Sequence, residues 1–156
     1  MPIEIERKFL LRDESWRLSA DAGTPMRQGY LSNNSKSSIR VRISGVQANL
    51  NIKSSMPGTV RREYEYPIPV AEAEELLADL CHELRIEKVR YHVDVSGFIW
   101  EIDVFSGVNQ GLIVAEIELD AVDQDFPRPP WLGREVSDEI RYYNSHLAKY
   151  PYTQWS

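Results

Sequence analysis

The chain has 156 residues, a formal net charge of −6 and a pI near 5.1, and 42% of its residues are hydrophobic. This composition excludes extended disorder and suits one globular domain over residues 1–156, while the acidity argues against nucleic acid or an anionic membrane as a partner. The single cysteine excludes an internal disulfide, and the absence of a long apolar stretch or a signal-like N-terminus predicts a cytoplasmic protein.

Eight segments alternate apolar and polar residues, which predicts antiparallel β-strands. They cover residues 2–11, 24–32, 37–45, 48–55, 60–68, 86–95, 98–106 and 112–121. Turn-forming residues separate several of them, among them Pro57-Gly58, and Ser96-Gly97 predicts a hairpin between two strands.

Two segments show helical spacing instead. Apolar residues recur every three or four positions from Pro69 to Leu84, which places Cys81 on the buried face of a helix. Near the C-terminus, Ser137 is expected to cap a second helix that ends at Pro151, with an apolar stripe formed by Ile140, Tyr143, Leu147 and Tyr150. A short helix over residues 14–20 has a weaker pattern.

Seven of the predicted strands place charged residues on one face and large apolar residues on the other, because successive side chains of a strand alternate between faces. The charged positions are Glu4, Glu6, Lys8, Arg40, Arg42, Lys53, Glu63, Glu65, Lys88, Arg90, Glu101, Asp103, Glu116 and Glu118. A solvated face explains any one strand. It explains the set less well, since solvated faces usually carry Thr, Ser and Gln beside the charges.

An eight-stranded antiparallel closed β-barrel, mainly β with a few flanking helices, explains the pattern better if the charged faces line its interior. Such an interior would hold eight acidic and six basic side chains, a net charge of −2. Burying fourteen charges without ligands is costly, so the barrel is expected to contain water, cations and a polyanion.

Carboxylates without histidine or thiol ligands favour Mg²⁺ or Mn²⁺, and several Lys and Arg side chains favour phosphate oxygens. Two divalent ions would change the charge of the lining from −2 to +2, which would allow a triphosphate to bind. The residues therefore indicate a metal–polyphosphate site of the kind used for phosphoryl transfer.

At this level the sequence resembles the CYTH domain family, also called triphosphate tunnel metalloenzymes. The resemblance begins with the Glu-x-Glu-x-Lys motif of Glu4, Glu6 and Lys8 and extends in order across nearly the whole chain. It implies an eight-stranded tunnel that binds a triphosphate-bearing substrate together with Mg²⁺ or Mn²⁺. The compact chain looks most like the short bacterial inorganic triphosphatases of the family.

The resemblance also implies roles for individual residues. The phosphates would be bound by Lys8, Arg40, Arg42, Lys53, Lys88 and Arg90. A first metal would be held by Glu4, Glu6 and Glu118 with support from Glu116, while Glu63, Glu65 and Asp103 would border a second metal or orient the attacking water. Lys8 would work in catalysis together with Tyr30.

Several alternatives stay open. The family also contains class IV adenylate cyclases and thiamine triphosphatases, and a non-catalytic polyphosphate- or nucleotide-binding module would need the basic residues but not the full acidic set. Arg141 and Tyr142 either pack the last helix onto the barrel or help to close one tunnel end. A homodimer is also expected, because two helices are too few to cover all the apolar residues on the outer faces, which include Tyr64, Tyr66, Val89 and Trp100.

Overall fold

The computed structural model describes residues 3–55, 58–81 and 84–155, and contains nine strands and two α-helices within them. The strands are β1 Ile3–Leu11, β2 Thr24–Asn33, β3 Ser37–Ser44, β4 Gln47–Ser54, β5 Val60–Ile68, β6 Ile86–Val95, β7 Phe98–Phe105, β8 Ile113–Glu118 and β9 Leu132–Glu135. The α-helices are α1 Val70–Asp79 and α2 Asn144–Leu147. Short 3₁₀ turns cover Ser15–Ser19, Gly107–Asn109, Ile140–Tyr142 and Tyr152–Gln154.

The first eight strands form the closed antiparallel barrel that the sequence predicts. The order is β5-β4-β3-β2-β6-β7-β8-β1, and a pairing between β1 and β5 closes the ring. The predicted β6–β7 hairpin is present, and both Ser96 (φ 53°) and Gly97 (φ 89°) adopt the left-handed backbone that a tight hairpin turn requires. The ninth strand, β9, was not predicted; it pairs with the C-terminal half of β1.

The strand register places the predicted charged residues on the inner face. Lys8 lies opposite Glu116, Arg90 opposite Asp103, and Arg40 opposite Asn51. Since opposite residues of an antiparallel pair point to the same face, charges from neighbouring strands meet inside the barrel.

The hydrophobic core lies outside the barrel wall. On one side Trp100, Phe9 and Trp131 form edge-to-face contacts with ring centroids 5.6 Å apart. On the other side α1 buries Ala73 and Leu77 against Val41 and Ile43 of β3. Trp100 is therefore covered by its own chain, and the prediction that it forms part of a dimer surface was wrong.

Both helix predictions overestimated the helical length. α1 ends at Asp79, and Leu80 and Leu84 beyond it are 56% and 45% exposed. Cys81 also lies beyond the end of α1. It is partly buried and packs against the cluster that α1 forms with β3.

The predicted C-terminal helix is replaced by a 3₁₀ turn over Ile140–Tyr142 and the four-residue helix α2. Tyr143 has an extended backbone (φ −74°, ψ 139°), and both it and Tyr142 are buried, which interrupts the helix. Ser137 does not cap a helix, because its hydroxyl accepts a hydrogen bond from the backbone N–H of Lys8 at 2.9 Å. Ile140 and Tyr150 of the predicted stripe are exposed.

The predicted turn residue Pro57 lies outside the described residues, as does His82, for which a surface position on the first helix is predicted. Within the described parts of the chain, no helix is both long and apolar enough to cross a lipid bilayer.

Candidate active site

The barrel encloses a cavity of about 180 Å³ whose wall carries most of the predicted charges. Among the described residues, seven carboxylates line it, from Glu4, Glu6, Glu63, Glu65, Glu101, Glu116 and Glu118. Six cationic side chains of the same described parts line it as well, from Lys8, Arg40, Arg42, Lys53, Arg61 and Arg90. Positive and negative groups therefore share one small space, as the alternation of the strands predicts.

Three carboxylates form an acidic cluster on adjacent strands. Glu6, Glu101 and Glu116 each offer one oxygen, and these three oxygens lie within 4.8 Å of one another. Burial and the neighbouring Glu116 raise the pKa of Glu6 well above its usual range. Burial would also raise the pKa of Glu116, but Lys8 and Arg90 lower it well below the usual range. Glu116 pairs with Lys8 at 3.5 Å and Glu101 with Arg90 at 3.1 Å, whereas Glu6 makes no ion pair with the described residues.

This donor set fits a hard divalent cation such as Mg²⁺ or Mn²⁺. Such cations prefer carboxylate oxygens, and the three oxygens are close enough to share one ion. Glu101 was placed in the barrel interior by its alternation but was not predicted as a metal ligand.

A second group of ions lies where β1, β4 and β5 meet. The Lys53 Nζ is 3.1 Å from Glu4 Oε1 and 3.4 Å from Glu63 Oε2. Burial raises the pKa of Glu4 although Lys53 opposes the shift, whereas Lys53 and Asn51 outweigh burial at Glu63 and lower its pKa. Glu65 and Glu118, which were predicted as catalytic and metal-binding residues, lie at the exposed rim of the cavity.

The predicted phosphate ligand Lys88 and the predicted metal ligand Asp103 instead form a paired cluster with Arg90. Lys88 Nζ donates to Asp103 Oδ2 at 2.7 Å, and Arg90 Nε donates to Asp103 Oδ1 at 2.8 Å. The side chains of Lys88 and Asp103 are 0% exposed, so neither reaches the cavity; Arg90 does.

The pKa shifts in this paired cluster follow from burial and pairing. Burial lowers the pKa of Lys88 to about 7 despite the opposing charge of Asp103. At Asp103, burial is outweighed by Arg90 and Lys88, which hold its pKa below the usual range. Arg90 also donates from Nη1 to Glu101 Oε2 at 3.1 Å and so joins the paired cluster to the acidic cluster.

The cations on β3 have incomplete pairing. Arg40 Nε is buried without a hydrogen-bond partner among the described residues. Burial, followed by repulsion from Arg40 and Arg90, lowers the pKa of Arg42 to about 9. A buried donor without an acceptor is unfavourable, so an anion with several oxygens fits this side of the cavity.

The C-terminal segment, residues 140–147, closes part of the wall. Tyr143, Asn144 and Ser145 line the cavity beside Tyr30. The Tyr143 hydroxyl donates to the backbone oxygen of Ser137 at 2.6 Å and accepts a hydrogen bond from Gly58 N at 3.0 Å, which fixes the segment. Lys8 Nζ donates to the Tyr142 backbone oxygen at 3.1 Å.

Sequence reasoning missed several lining residues. Arg61 and Asn51 stand two positions before Glu63 and Lys53, so the same alternation places them inside the barrel. Asn144 carried no comparable signal, because it follows no strand and its position depends on how the C-terminal segment packs.

The sequence profile of a family described as the CYTH domain matches residues 2–149. A protein of Acetivibrio thermocellus named inorganic triphosphatase is 45% identical over 149 residues, which cover 96% of this chain and 95% of the relative. A protein of Nitrosomonas europaea with the same name is 39% identical over 150 residues, covering 93% of this chain and 96% of the relative. A crystal structure of an inorganic triphosphatase superposes with a TM-score of 0.65 at 36% identity, covering 95% of each chain.

Proposed function

The chain belongs to the CYTH domain family, and from this premise we propose that it is a metal-dependent hydrolase that cleaves inorganic triphosphate into pyrophosphate and phosphate. The two relatives named inorganic triphosphatase support the substrate, since each aligns with nearly the whole chain. Cytoplasmic localisation is part of the same proposal.

One observation carries the proposal: the incompletely paired cations of β3 and a carboxylate cluster line the same small polar cavity. Arg40 Nε and Arg42 supply donors for phosphate oxygens, and Glu6, Glu101 and Glu116 supply oxygens for a metal. The cavity of about 180 Å³ is smaller than the roughly 300–1,000 Å³ of pockets that hold organic ligands. This size favours inorganic triphosphate over a nucleotide or thiamine triphosphate.

In the proposed reaction, a water oxygen attacks a terminal phosphorus, the bridging P–O bond breaks, and pyrophosphate leaves. Arg40, Arg42 and Lys53 bind the phosphate oxygens and hold the substrate along the cavity. Lys8, assisted by Tyr30, neutralises charge near the scissile bond, as the family resemblance implies. Glu63 and Glu65 orient the attacking water and accept its proton.

The acidic cluster and Glu4 would hold Mg²⁺ or Mn²⁺, for which we propose two ions. A bound divalent cation neutralises charge on the phosphates and polarises the reacting phosphoryl group. Glu118 at the rim completes the proposed metal set. Asp103 contributes indirectly, because it fixes Arg90 and through it Glu101. Lys88 contributes by holding Asp103.

We also propose a homodimer, although fewer apolar residues are exposed to form its interface than the sequence indicated. Ile3, Val60 and Tyr66 are 55%, 45% and 52% exposed on β1 and β5, which pair with each other. Light scattering on the purified chain tests this: a mass near twice 18.0 kDa supports the dimer, and a mass near 18.0 kDa contradicts it.

Phosphorus NMR of the products tests the proposed reaction. With Mg²⁺ or Mn²⁺, tripolyphosphate is expected to give equal amounts of pyrophosphate and phosphate, at a higher kcat/KM than ATP or thiamine triphosphate. Faster formation of cyclic AMP from ATP would instead support a cyclase. Tight binding of tripolyphosphate without turnover would support a binding module.

A further inference from the structure

A chain of two amides, the buried Gln28 and the partly buried Asn144, connects Arg42 to Lys88. The side chain of Gln28, on the inner face of β2, is 0% exposed. Its Oε1 accepts a hydrogen bond from Arg42 Nε at 2.8 Å, and its Nε2 donates to Asn144 Oδ1 at 3.2 Å. Lys88 Nζ donates to the same Oδ1 at 3.1 Å. The amides therefore join β3, β2, the C-terminal segment and β6.

The direction of these hydrogen bonds is set by Arg42. A guanidinium nitrogen only donates, so Gln28 must turn its oxygen toward Arg42 and its NH₂ toward Asn144. Asn144 must then present its oxygen, which also accepts from Lys88. Rotating either amide by 180° would place donor against donor or acceptor against acceptor, and both arrangements are unfavourable in a buried site.

The contact with Gln28 determines how Arg42 faces the cavity. The guanidinium is planar, so a partner on Nε fixes the plane and leaves the two terminal NH₂ groups available. Within the described residues, the hydrogen bond to Gln28 is the one that the Arg42 side chain makes. Without it, Arg42 would be a partly buried cation free to change rotamer and repelled by Arg40 and Arg90.

We propose that Gln28 is a positioning residue for substrate binding: it orients Arg42 toward the phosphate oxygens, and Asn144 holds Gln28 in place. The proposal rests on the proposed function, since it takes Arg42 as a phosphate ligand. It gives the C-terminal segment a specific task, because Asn144 supports an arginine on a different strand.

A double-mutant cycle tests the proposal with tripolyphosphate as the probe. Gln28→Met keeps the size of the side chain but removes both hydrogen bonds to its neighbours, and it is expected to raise KM about tenfold, the effect of losing a hydrogen bond to a charged group. kcat is expected to change less than threefold. In the Arg42→Lys background, which lacks Nε, Gln28→Met is expected to change KM by less than twofold.

Asn109→Leu is the matched control, because Asn109 is also a fully buried amide but accepts its hydrogen bond from Tyr152 N, away from the cavity. It is expected to lower Tm without changing KM. If the KM increases of Gln28→Met and Arg42→Lys multiply in the double variant, the two residues act independently and the proposal is overturned. An unchanged KM in Gln28→Met would also overturn it. If Gln28→Met does not fold, Asn144→Leu takes its place in the cycle, with a smaller KM increase expected and the same criteria.

Failure of the proposed function is recognisable separately. If the wild-type chain binds tripolyphosphate with Mg²⁺ but does not hydrolyse it, the hydrolase proposal fails and the same cycle is measured as dissociation constants by calorimetry. Coupling between Gln28 and Arg42 in those constants supports the positioning role, and independent effects contradict it. A wild-type chain that does not bind tripolyphosphate at all contradicts both proposals.

Discussion

The acidic cluster and the paired cluster lie in the same barrel and are joined by Arg90, yet they differ in how far the chain itself compensates their charges. In the paired cluster, Asp103 receives 2.7 and 2.8 Å hydrogen bonds from Lys88 and Arg90, and its charge is compensated by the chain. In the acidic cluster, carboxylate oxygens converge within 4.8 Å and the pKa of Glu6 rises well above its usual range. Burial alone therefore does not identify the active site; incomplete pairing does.

The comparison assigns different consequences to mutation. Removing Asp103 from the paired cluster leaves two buried cations without their shared carboxylate, which should damage the fold. Removing a charge from the acidic cluster relieves repulsion, which should damage function while sparing the fold.

Asp103→Ala is expected to destabilise the protein by about 3–5 kcal/mol, because it leaves Lys88 and Arg90 buried beside each other without their shared acceptor. Urea denaturation of the metal-free chain measures the loss. Glu14→Ala, which breaks an exposed pair with Arg17, serves as the control and should leave the midpoint unchanged. Equal midpoints for Asp103→Ala and the wild type would contradict the structural role of the paired cluster.

Glu6→Gln is expected to lower kcat for tripolyphosphate by about 100-fold or more, on the scale of losing one electrostatic component of a transition-state site. It should weaken Mg²⁺ binding at the same time, and it should not lower the stability of the metal-free chain. Kinetics at several Mg²⁺ concentrations together with urea denaturation test both halves. Unchanged metal dependence would show that Glu6 is not a ligand.

Arg42→Ala is expected to raise KM about 30-fold with a smaller change in kcat, because a charged donor to the substrate is lost before and during the reaction alike. Arg134→Ala is the control, since Arg134 pairs with Glu139 at the surface. A fall in kcat at constant KM would instead place Arg42 in transition-state stabilisation.

Mg²⁺ at ten times its Kd is expected to stabilise the protein by ~1.4 kcal/mol, or about 3–6 °C in Tm. The pKa of Glu6 is raised in the folded chain, so its contribution to stability is present below pH 4.5 and is lost as the pH rises through the folded pKa. At one fixed Mg²⁺ concentration, the free energy of unfolding should therefore increase more on adding Mg²⁺ at pH 8 than at pH 5. Thermal unfolding at both pH values measures this. An equal increase in Tm at pH 5 and pH 8 would contradict the raised pKa of Glu6.

The inner faces of the barrel were predictable because strand geometry alone determines them. Once Glu4, Glu6 and Lys8 are assigned to one side of β1, the period of two does not allow Ile3 and Ile5 to join them. The eight barrel strands follow the predicted segments closely, and the largest difference is β8, which ends at Glu118 rather than at residue 121.

What the sequence did not determine is how far each inner side chain reaches and which partner it meets. Lys88 and Asp103 have the alternation of the other lining residues, but they pair with each other between β6 and β7 and do not reach the cavity. The C-terminal segment was predicted as one helix from its apolar spacing. Its real conformation depends on contacts with distant residues, such as the hydrogen bond from Lys8 N to Ser137.

Phosphate release from tripolyphosphate by the metal-stripped chain, measured without metal, with Mg²⁺ and with Mn²⁺, tests whether the barrel is a metal-dependent triphosphatase. We predict turnover with at least one of the two ions, none without metal, and loss of the metal-dependent rate in Glu6→Gln. Equal rates with and without metal, or no release in any condition, would contradict the account of a barrel whose unpaired charges form a metal-dependent triphosphatase site.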